Sequence, residues 1–119
     1  MTAPFDNFPY ERRRSPRVSG AGIGVEYFPA GGKTQPTKTS AKNICIHGIC
    51  LCMTNITEPK ETVIMDILLP GSDIPFRAEG SVVWYNAFEN EDYFRVGIEF
   101  AKITDEDQKK LSDYIQEKL

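Results

Sequence analysis

The feature that most constrains the fold is a regular alternation of apolar and polar residues in several short segments. It is clearest in residues 93–100, where every second residue is apolar: Phe94, Val96, Ile98 and Phe100. Side chains of a β-strand point alternately to opposite faces, so a period of two is typical of a strand with one buried face. We therefore predict a strand here whose apolar row lies in the core.

Five earlier segments carry related patterns and predict further strands. They are residues 23–29, 37–45, 49–54, 62–69 and 76–85. The segment 62–69 has apolar groups on both faces, so we expect it to be covered on both sides. A break is expected near His47 and Gly48, and the glycines before the first segment indicate a bend or bulge.

The C-terminal segment has the pattern of an amphipathic helix. Thr104 is a favourable N-cap residue, and the three acids that follow it lie where the positive end of a helix favours negative charge. The apolar residues after them recur at helical spacing: Leu111, Tyr114, Ile115 and Leu119. A helix of about four turns is predicted over residues 104–118.

Short strands separated by turns favour a small antiparallel barrel over a layered α/β sheet. A length of 119 residues fits one domain. We predict a mainly β chain, with a barrel of about six strands over residues 18–101 and the helix at its C-terminus. The remaining parts are a disordered tail over residues 1–10 and an arginine-rich segment over residues 11–17, which belongs to the domain of residues 11–119.

That segment reads Glu-Arg-Arg-Arg-Ser-Pro-Arg and holds four of the six arginines of the chain. A guanidinium group can donate two parallel hydrogen bonds to a phosphate or a guanine edge and can stack on a base. Pro16 keeps Ser15 out of the α region, so the segment should be extended. Residues 1–17 carry a charge of +2 in a chain whose net charge is −3. This split predicts a small anionic ligand and argues against duplex nucleic acid, which needs a broad basic face.

A second polar motif, Asn-Ile-Cys-Ile-His-Gly, occupies residues 43–48. On a strand, Asn43 and Cys45 point to the same side. The Asn amide both donates and accepts hydrogen bonds, which suits a purine edge. Gly48 permits either a positive φ or a close approach of the backbone to a ligand.

Together these segments resemble the PilZ domain family, whose members bind the bacterial second messenger cyclic di-GMP. The family motif is Arg-x-x-x-Arg followed by Asp or Asn-x-Ser-x-x-Gly, and the chain has Arg13 to Arg17 and then Asn43 to Gly48. The ending Tyr-Phe-Arg-Val-Gly-Ile-Glu-Phe at 93–100, with Thr-Asp-Glu-Asp at 104–107, is also similar to the family. The resemblance covers nearly all of the chain from Glu11 onward.

The resemblance implies a role for each matching residue. Arg13 and Arg17 match the arginines that grip the phosphates and guanines of the ligand. Asn43 matches the residue that contacts a guanine edge, and Gly48 matches the glycine that closes the motif.

Arg12 and Arg14 belong to the same implied ligand-binding segment. Relatives with an arginine before the motif often bind two intercalated ligand molecules, so the resemblance implies one or two molecules per chain. Cys45 departs from the family serine, because a thiol is bulkier and forms weaker hydrogen bonds than a hydroxyl. Losing one such bond costs on the order of 1 kcal/mol, which would weaken binding without abolishing it.

The implied function is that of a cyclic di-GMP receptor without a cofactor and without enzymatic activity. Ligand would order the arginine segment and change the surface offered to an unidentified effector protein. An alternative is a PilZ-fold interaction adaptor that no longer binds the nucleotide. The arginine motif speaks against it, because the relatives of that kind usually lack the motif.

A less favoured alternative is a zinc-stabilised module built from Cys45, His47, Cys50 and Cys52. Side chains at such spacing on strands lie alongside one another and do not readily close a tetrahedron, so no metal site is predicted. His47 is the one histidine of the chain, and no acid stands in the pattern to orient it for catalysis. No catalytic residue is therefore assigned.

Residues 1–10 lack the apolar run of a signal peptide, and no later segment is long and apolar enough for a membrane span. Three crowded cysteines do not form a disulfide framework and fit a reducing compartment. We expect a cytoplasmic protein without membrane insertion. Arg95 is interpreted as a solvated surface charge, and Trp84 as barrel lining or rim.

Overall fold

The structure is a computed structural model that describes residues 16–31, 35–54, 62–87 and 94–119. Its elements, in chain order, are β1 (Val18–Ser19), β2 (Gly24–Pro29), β3 (Thr37–Cys45), β4 (Gly48–Met53), β5 (Thr62–Leu68), β6 (Phe76–Ala87), β7 (Phe94–Ile103) and α1 (Asp105–Lys118). Strands therefore dominate the described chain, and a helix ends it.

Six of the strands close into an antiparallel barrel. The order of hydrogen-bonded neighbours is β3, β2, β5, β6, β7 and β4, and β4 pairs back with β3. The short strand β1 pairs with β3 outside this ring. Closure leaves the barrel strands without a free edge along their paired lengths. The predicted fold class, a small antiparallel barrel of about six strands with a C-terminal helix, is confirmed.

The predicted apolar row of the last strand lies in the core. Val96 and Ile98 are fully buried, and Phe94 and Phe100 pack against the same cluster while partly exposed. The ends of the row are less covered because they lie nearer the two openings of the barrel. The period of two therefore identified the inward face of β7 correctly.

The expectation that residues 62–69 are covered on both faces is only partly right. Val63, Met65 and Ile67 of β5 are buried in the core, but Ile64 is half-buried and Leu68 is exposed on the outer face. The outer face of a closed barrel meets solvent unless another element covers it. Apolar residues on both sides of this strand therefore do not indicate burial on both sides.

Several strand boundaries differ from the predicted ones. β7 continues to Ile103 and β6 to Ala87, because the two strands pair over nearly their whole lengths. The turn between β3 and β4 consists of Ile46 and His47, and Gly48 already belongs to β4. β1 was not predicted as a strand, since two residues are too few to show a period.

The helix begins as predicted. The hydroxyl of Thr104 accepts a hydrogen bond of 3.1 Å from the backbone N–H of Asp107, which satisfies one of the free donors at the helix start. Leu111, Tyr114 and Ile115 form its buried face and belong to the same cluster as the barrel core. The helix is thus held to the barrel by apolar packing.

A β-bulge interrupts β3 just before the second motif. Ala41 and Ile44 both lie in the core although they are three residues apart, which an unbroken alternation would not allow. The register shifts between Ala41 and Asn43, so Lys42 is the additional residue. The backbone N–H of Gly20 donates a hydrogen bond of 2.9 Å to the carbonyl of Lys42. The bulge therefore places Lys42 and Asn43 together outside the core.

Gly20 is needed for this arrangement, which can be tested by substitution. A Cβ at Gly20 would lie 2.3 Å from the carbonyl oxygen of Ala41, whereas a Cβ at Gly24 has no atom within 4 Å. We expect Gly20→Ala to lower the free energy of unfolding by about 1–3 kcal/mol, because backbone atoms must move. The matched control Gly24→Ala should leave it unchanged or slightly raised. Urea denaturation of both variants measures the difference, and equal stabilities would contradict the account.

Candidate ligand-binding site

The pairing of β1 with β3 brings the two sequence motifs together. Val18 is opposite Ile44 and Ser19 is opposite Asn43. Extending this antiparallel register by one residue sets Arg17 opposite Cys45. Arg17 is half-buried. The end of the arginine segment therefore lies beside the strand that carries the second motif.

The other arginines of the segment, Arg12, Arg13 and Arg14, lie outside the described residues. Their roles stay predictions made from the sequence. Arg17 is the member of the motif whose place the structure gives.

The second motif lies on the outer face of the barrel. Ile44 points into the core, so Asn43 and Cys45 point outward, as the alternation predicted. The side chain of Asn43 is half-buried, whereas Cys45 is buried. Gly48 is buried as well and pairs with Cys45 and with Glu99 of β7. It lies in extended β4, and the described glycines with positive φ are Gly22, Gly31 and Gly71, so the positive φ considered for Gly48 is not found.

A single row of outward positions crosses five strands at this motif. From β6 to β1, the register places opposite one another Trp84, Gly97, Cys50, Asn43 and Ser19. The neighbours of Cys50 along β4, Ile49 and Leu51, belong to the core, which confirms that Cys50 points outward. The row thus runs from Asn43 on β3 past Cys50 on β4 to Trp84 on β6.

Trp84 lies across the outer face above Gly97. A Cβ at Gly97 would be 2.1 Å from the indole Nε1, so this glycine leaves the space that the ring occupies. Of the two positions considered for Trp84, barrel lining or rim, the structure therefore does not show the lining position. The register shift between Val82 and Trp84 turns the indole outward, and a bulge of this kind has no signature in the residue pattern.

Positive charge converges on the same face. Burial raises the pKa of the Cys50 thiol to about 11, and the charges of Arg95, Arg17 and Lys42 act in the opposite direction. The thiol is only 3% exposed although it points out of the barrel. Three cations from three separate segments therefore come within electrostatic range of one buried group on the outer face.

Arg95 lies on the same outer face and is more covered than the solvated surface charge expected from the sequence. It is half-buried, its Nε is shielded from solvent, and it lies opposite Cys52 on β4 and Asn86 on β6. The sequence favoured full exposure because Arg95 faces away from the apolar row, where exposure is the usual outcome. Lys42 was not singled out from the sequence, because its placement on the same side as Asn43 depends on the bulge.

The arrangement of the cysteines does not favour a metal. Across residues 16–31, 35–54, 62–87 and 94–119, no three side chains of His, Cys, Asp or Glu are grouped closely enough to hold an ion. His47 is exposed in the turn, whereas Cys50 is buried within β4. The four residues considered for zinc therefore lie in different surroundings, and Cys50 is a buried, protonated thiol.

Two cavities lie elsewhere on the described surface. One of about 340 Å³ is bordered by Glu26, Lys38 and Asp66, and one of about 770 Å³ by Arg77, Glu79 and Lys102. Charges at both are paired: Arg77 donates two hydrogen bonds, of 2.8 and 3.0 Å, to the carboxylate of Asp66, and further ion pairs join Lys38 to Glu26 and Lys102 to Glu79. The cations that border these two cavities are therefore engaged by carboxylates of the barrel.

No helix in the described part of the chain is long and apolar enough to cross a membrane.

Comparison with known families identifies the class of protein. The PilZ domain family matches residues 11–117, which is nearly the whole chain, and the chain therefore belongs to that family. No curated protein matches it by sequence. The predicted family membership is confirmed, and the fold agrees with it.

Solved structures support the fold. The Bacillus subtilis inhibitor of motility (MotI/DgrA) is 21% identical, with a TM-score of 0.72 over 89% of this chain and 51% of that one. The K. pneumonia MrkH–c-di-GMP complex is 14% identical, with a TM-score of 0.65 over 89% and 52%. The PilZ domain of YcgR from Escherichia coli, with c-di-GMP, is 10% identical, with a TM-score of 0.64 over 90% and 91%. The chain thus spans about half the length of the first two.

The raised pKa of Cys50 predicts an alkaline loss of stability. The unfolded thiol ionises near its ordinary pKa of 9.0, whereas the folded one stays protonated until about 11. Between these values the unfolded state binds fewer protons, so the free energy of unfolding falls as pH rises, by up to roughly 3 kcal/mol from this group. Denaturant unfolding of the parent and of Cys50→Ala from pH 8 to 11 should give a shallower decline in the variant. Parallel curves would contradict the assignment.

Proposed function

We propose that this chain is a receptor domain for cyclic di-GMP. The observation that carries the proposal is the pairing of β1 with β3, which sets Ser19 opposite Asn43 and Arg17 next to Cys45. Arg17 and Asn43 are far apart in the sequence and match the two parts of the ligand-binding motif. The pairing thereby puts them on one outward face. PilZ domains are ligand-binding receptor or adaptor domains and not enzymes, which agrees with this assignment.

The chemistry of the face suits a cyclic dinucleotide. The half-buried Asn43 amide can donate to and accept from a purine edge. Arg17, Arg95 and Lys42 supply positive charge for two phosphodiester groups. The indole of Trp84, which lies across Gly97 in the same row, offers an aromatic surface to a base.

Two of the similar structures agree with this ligand. MrkH and the PilZ domain of YcgR were each solved with c-di-GMP. Their sequence identity to this chain is 14% and 10%, so they support the fold, and the choice of ligand rests on the motif residues. No separate cofactor is part of the proposal.

The ligand would lie between the barrel face and the arginine segment. Because β1 is fixed to β3, the segment that precedes it starts at the edge of the proposed site. Arg12, Arg13 and Arg14 would then close over the bound nucleotide, and Arg12 would stack on a guanine of a second molecule where two are bound. Cys45 in place of serine would lower the affinity without preventing binding.

Closure of the arginine segment would change the surface next to β1, and this change is the proposed signal to a partner protein. The receptor would act in the bacterial cytoplasm through an effector protein. The competing proposal is an adaptor of the same fold that binds no nucleotide. The convergence of Arg17 and Asn43 favours the receptor, because an adaptor has no need of a cation beside an amide.

Calorimetric titration with cyclic di-GMP tests the receptor function. We expect saturable binding by the parent, with one or two molecules per chain. Arg13→Ala with Arg17→Ala should abolish measurable binding, because charge-assisted hydrogen bonds to phosphate are lost. Asn43→Ala should weaken it roughly five- to fiftyfold, since a guanine edge loses its partner.

Arg77→Ala is the matched control, because this arginine pairs with Asp66 on another part of the barrel. It should bind like the parent, and thermal unfolding should show that all the variants are folded. Absence of heat and of competition at tens of micromolar ligand in the folded parent would reject the receptor and leave the adaptor.

A further inference from the structure

Lys42 stands out because the bulge in β3 places it on the same outward side as its neighbour Asn43, whereas an unbroken alternation would put the two on opposite faces. The register has Ala41 opposite Leu51 and Asn43 opposite Cys50, so Lys42 and Asn43 together face one residue of β4. Both lie between the inward-facing Ala41 and Ile44. The exposed Lys42 side chain therefore extends from the backbone directly beside the amide that is proposed to bind a base.

The backbone at Lys42 is held from the other side as well. Its carbonyl accepts a hydrogen bond of 2.9 Å from the N–H of Gly20, at the end of β1. Gly20 has no room for a side chain because the carbonyl of Ala41 is so close. The residue is thus fixed between the strand that follows Arg17 and the strand that carries Asn43.

Lys42 differs in its charge environment from Lys38, Lys102 and Lys110. Each of these three has a carboxylate oxygen within 4.0 Å of its Nζ. The distances are 3.9 Å from Lys38 to Glu26, 4.0 Å from Lys102 to Glu79 and 4.0 Å from Lys110 to Asp107. Within the described part of the chain, no carboxylate lies within ion-pair distance of Lys42 Nζ. The charge of Lys42 acts to lower the pKa of the Cys50 thiol, as do the charges of Arg17 and Arg95 on the same face.

We propose that Lys42 is a further ligand-contacting residue that binds a phosphodiester group of the nucleotide. This inference rests on the proposed cyclic di-GMP site and adds a contact outside its two sequence motifs. A lysine ammonium is a compact charge with three donors and suits a phosphate oxygen better than a base edge. Asn43 beside it reads the base, so one bulge presents a base contact and a phosphate contact side by side.

The expected effect is modest and depends on salt. Removing one partly solvated charge near a phosphate should weaken binding roughly three- to tenfold at low ionic strength. The loss should shrink at about 0.5 M salt, because screening there acts over only a few ångströms. A residue that merely supports the fold would show no such salt dependence.

The test is calorimetric titration of cyclic di-GMP into the full chain at about 0.05 M and about 0.5 M salt. The variants are Lys42→Gln, Lys42→Arg and the control Lys38→Gln. Lys38 is a lysine of the same strand that faces Glu26 and whose side chain is 85% exposed. We expect the affinity for cyclic di-GMP to fall with Lys42→Gln and to stay at the parent value with Lys42→Arg and Lys38→Gln. The melting temperatures of the three variants should be equal.

The outcomes separate the two proposals. If the parent does not bind, the receptor function fails, and the inference fails with it. If the parent binds and the double variant Arg13→Ala, Arg17→Ala does not, the receptor function stands. If Lys42→Gln then binds as tightly as the parent and Lys38→Gln at low salt, the role of Lys42 is rejected. A loss with Lys42→Gln that is the same at both salt concentrations, or that Lys42→Arg does not recover, likewise rejects a phosphate contact.

Discussion

The proposed site depends on one short pairing, that of the two residues of β1 with β3. Isolated two-stranded contacts of this length are weak, so β1 must be supported by its surroundings. Val18 is buried in the core cluster and Gly20 donates to the bulge carbonyl, which anchor the strand at both ends. The barrel closes without β1, since β3 and β4 pair directly. The ring of six strands therefore closes on its own, and β1 adds Arg17 and Ser19 beside a face whose other residues lie on the ring.

The outer face around Cys50 combines a neutral thiol with nearby cations. A thiol on the outside of a barrel would ordinarily meet water, yet Cys50 is buried and stays protonated while cations surround it. A carboxylate at this position would pair with those cations and compete with an anionic ligand, whereas a neutral thiol leaves the positive potential available. On other parts of the barrel the described cations are largely balanced, as Arg77 is by Asp66. Arg17, Arg95 and Lys42 thus gather on one face, whereas Arg77 is paired with Asp66 on another part of the barrel.

Periodicity in the sequence predicted the regular parts of the strands and missed the places where a strand departs from it. Val96 and Ile98 were placed in the core because a period of two is a direct consequence of strand geometry. Asn43 and Cys45 were placed on one face for the same reason. Lys42 and the outward turn of Trp84 escaped prediction because each lies at a bulge, where one extra residue resets the alternation. Arg95 escaped because only the three-dimensional neighbourhood of β4 and β6 decides whether an outward arginine is covered.

The position of Trp84 has a consequence for the study of this protein. It is the single tryptophan in the sequence, and its indole lies on the same outer row as Asn43. The near-ultraviolet fluorescence of the chain therefore originates mainly from one ring at the proposed site. That ring senses the polarity and the quenching groups beside it, so the emission reports on this face rather than on the molecule as an average. The protein thus carries an intrinsic optical probe where a label would otherwise have to be attached.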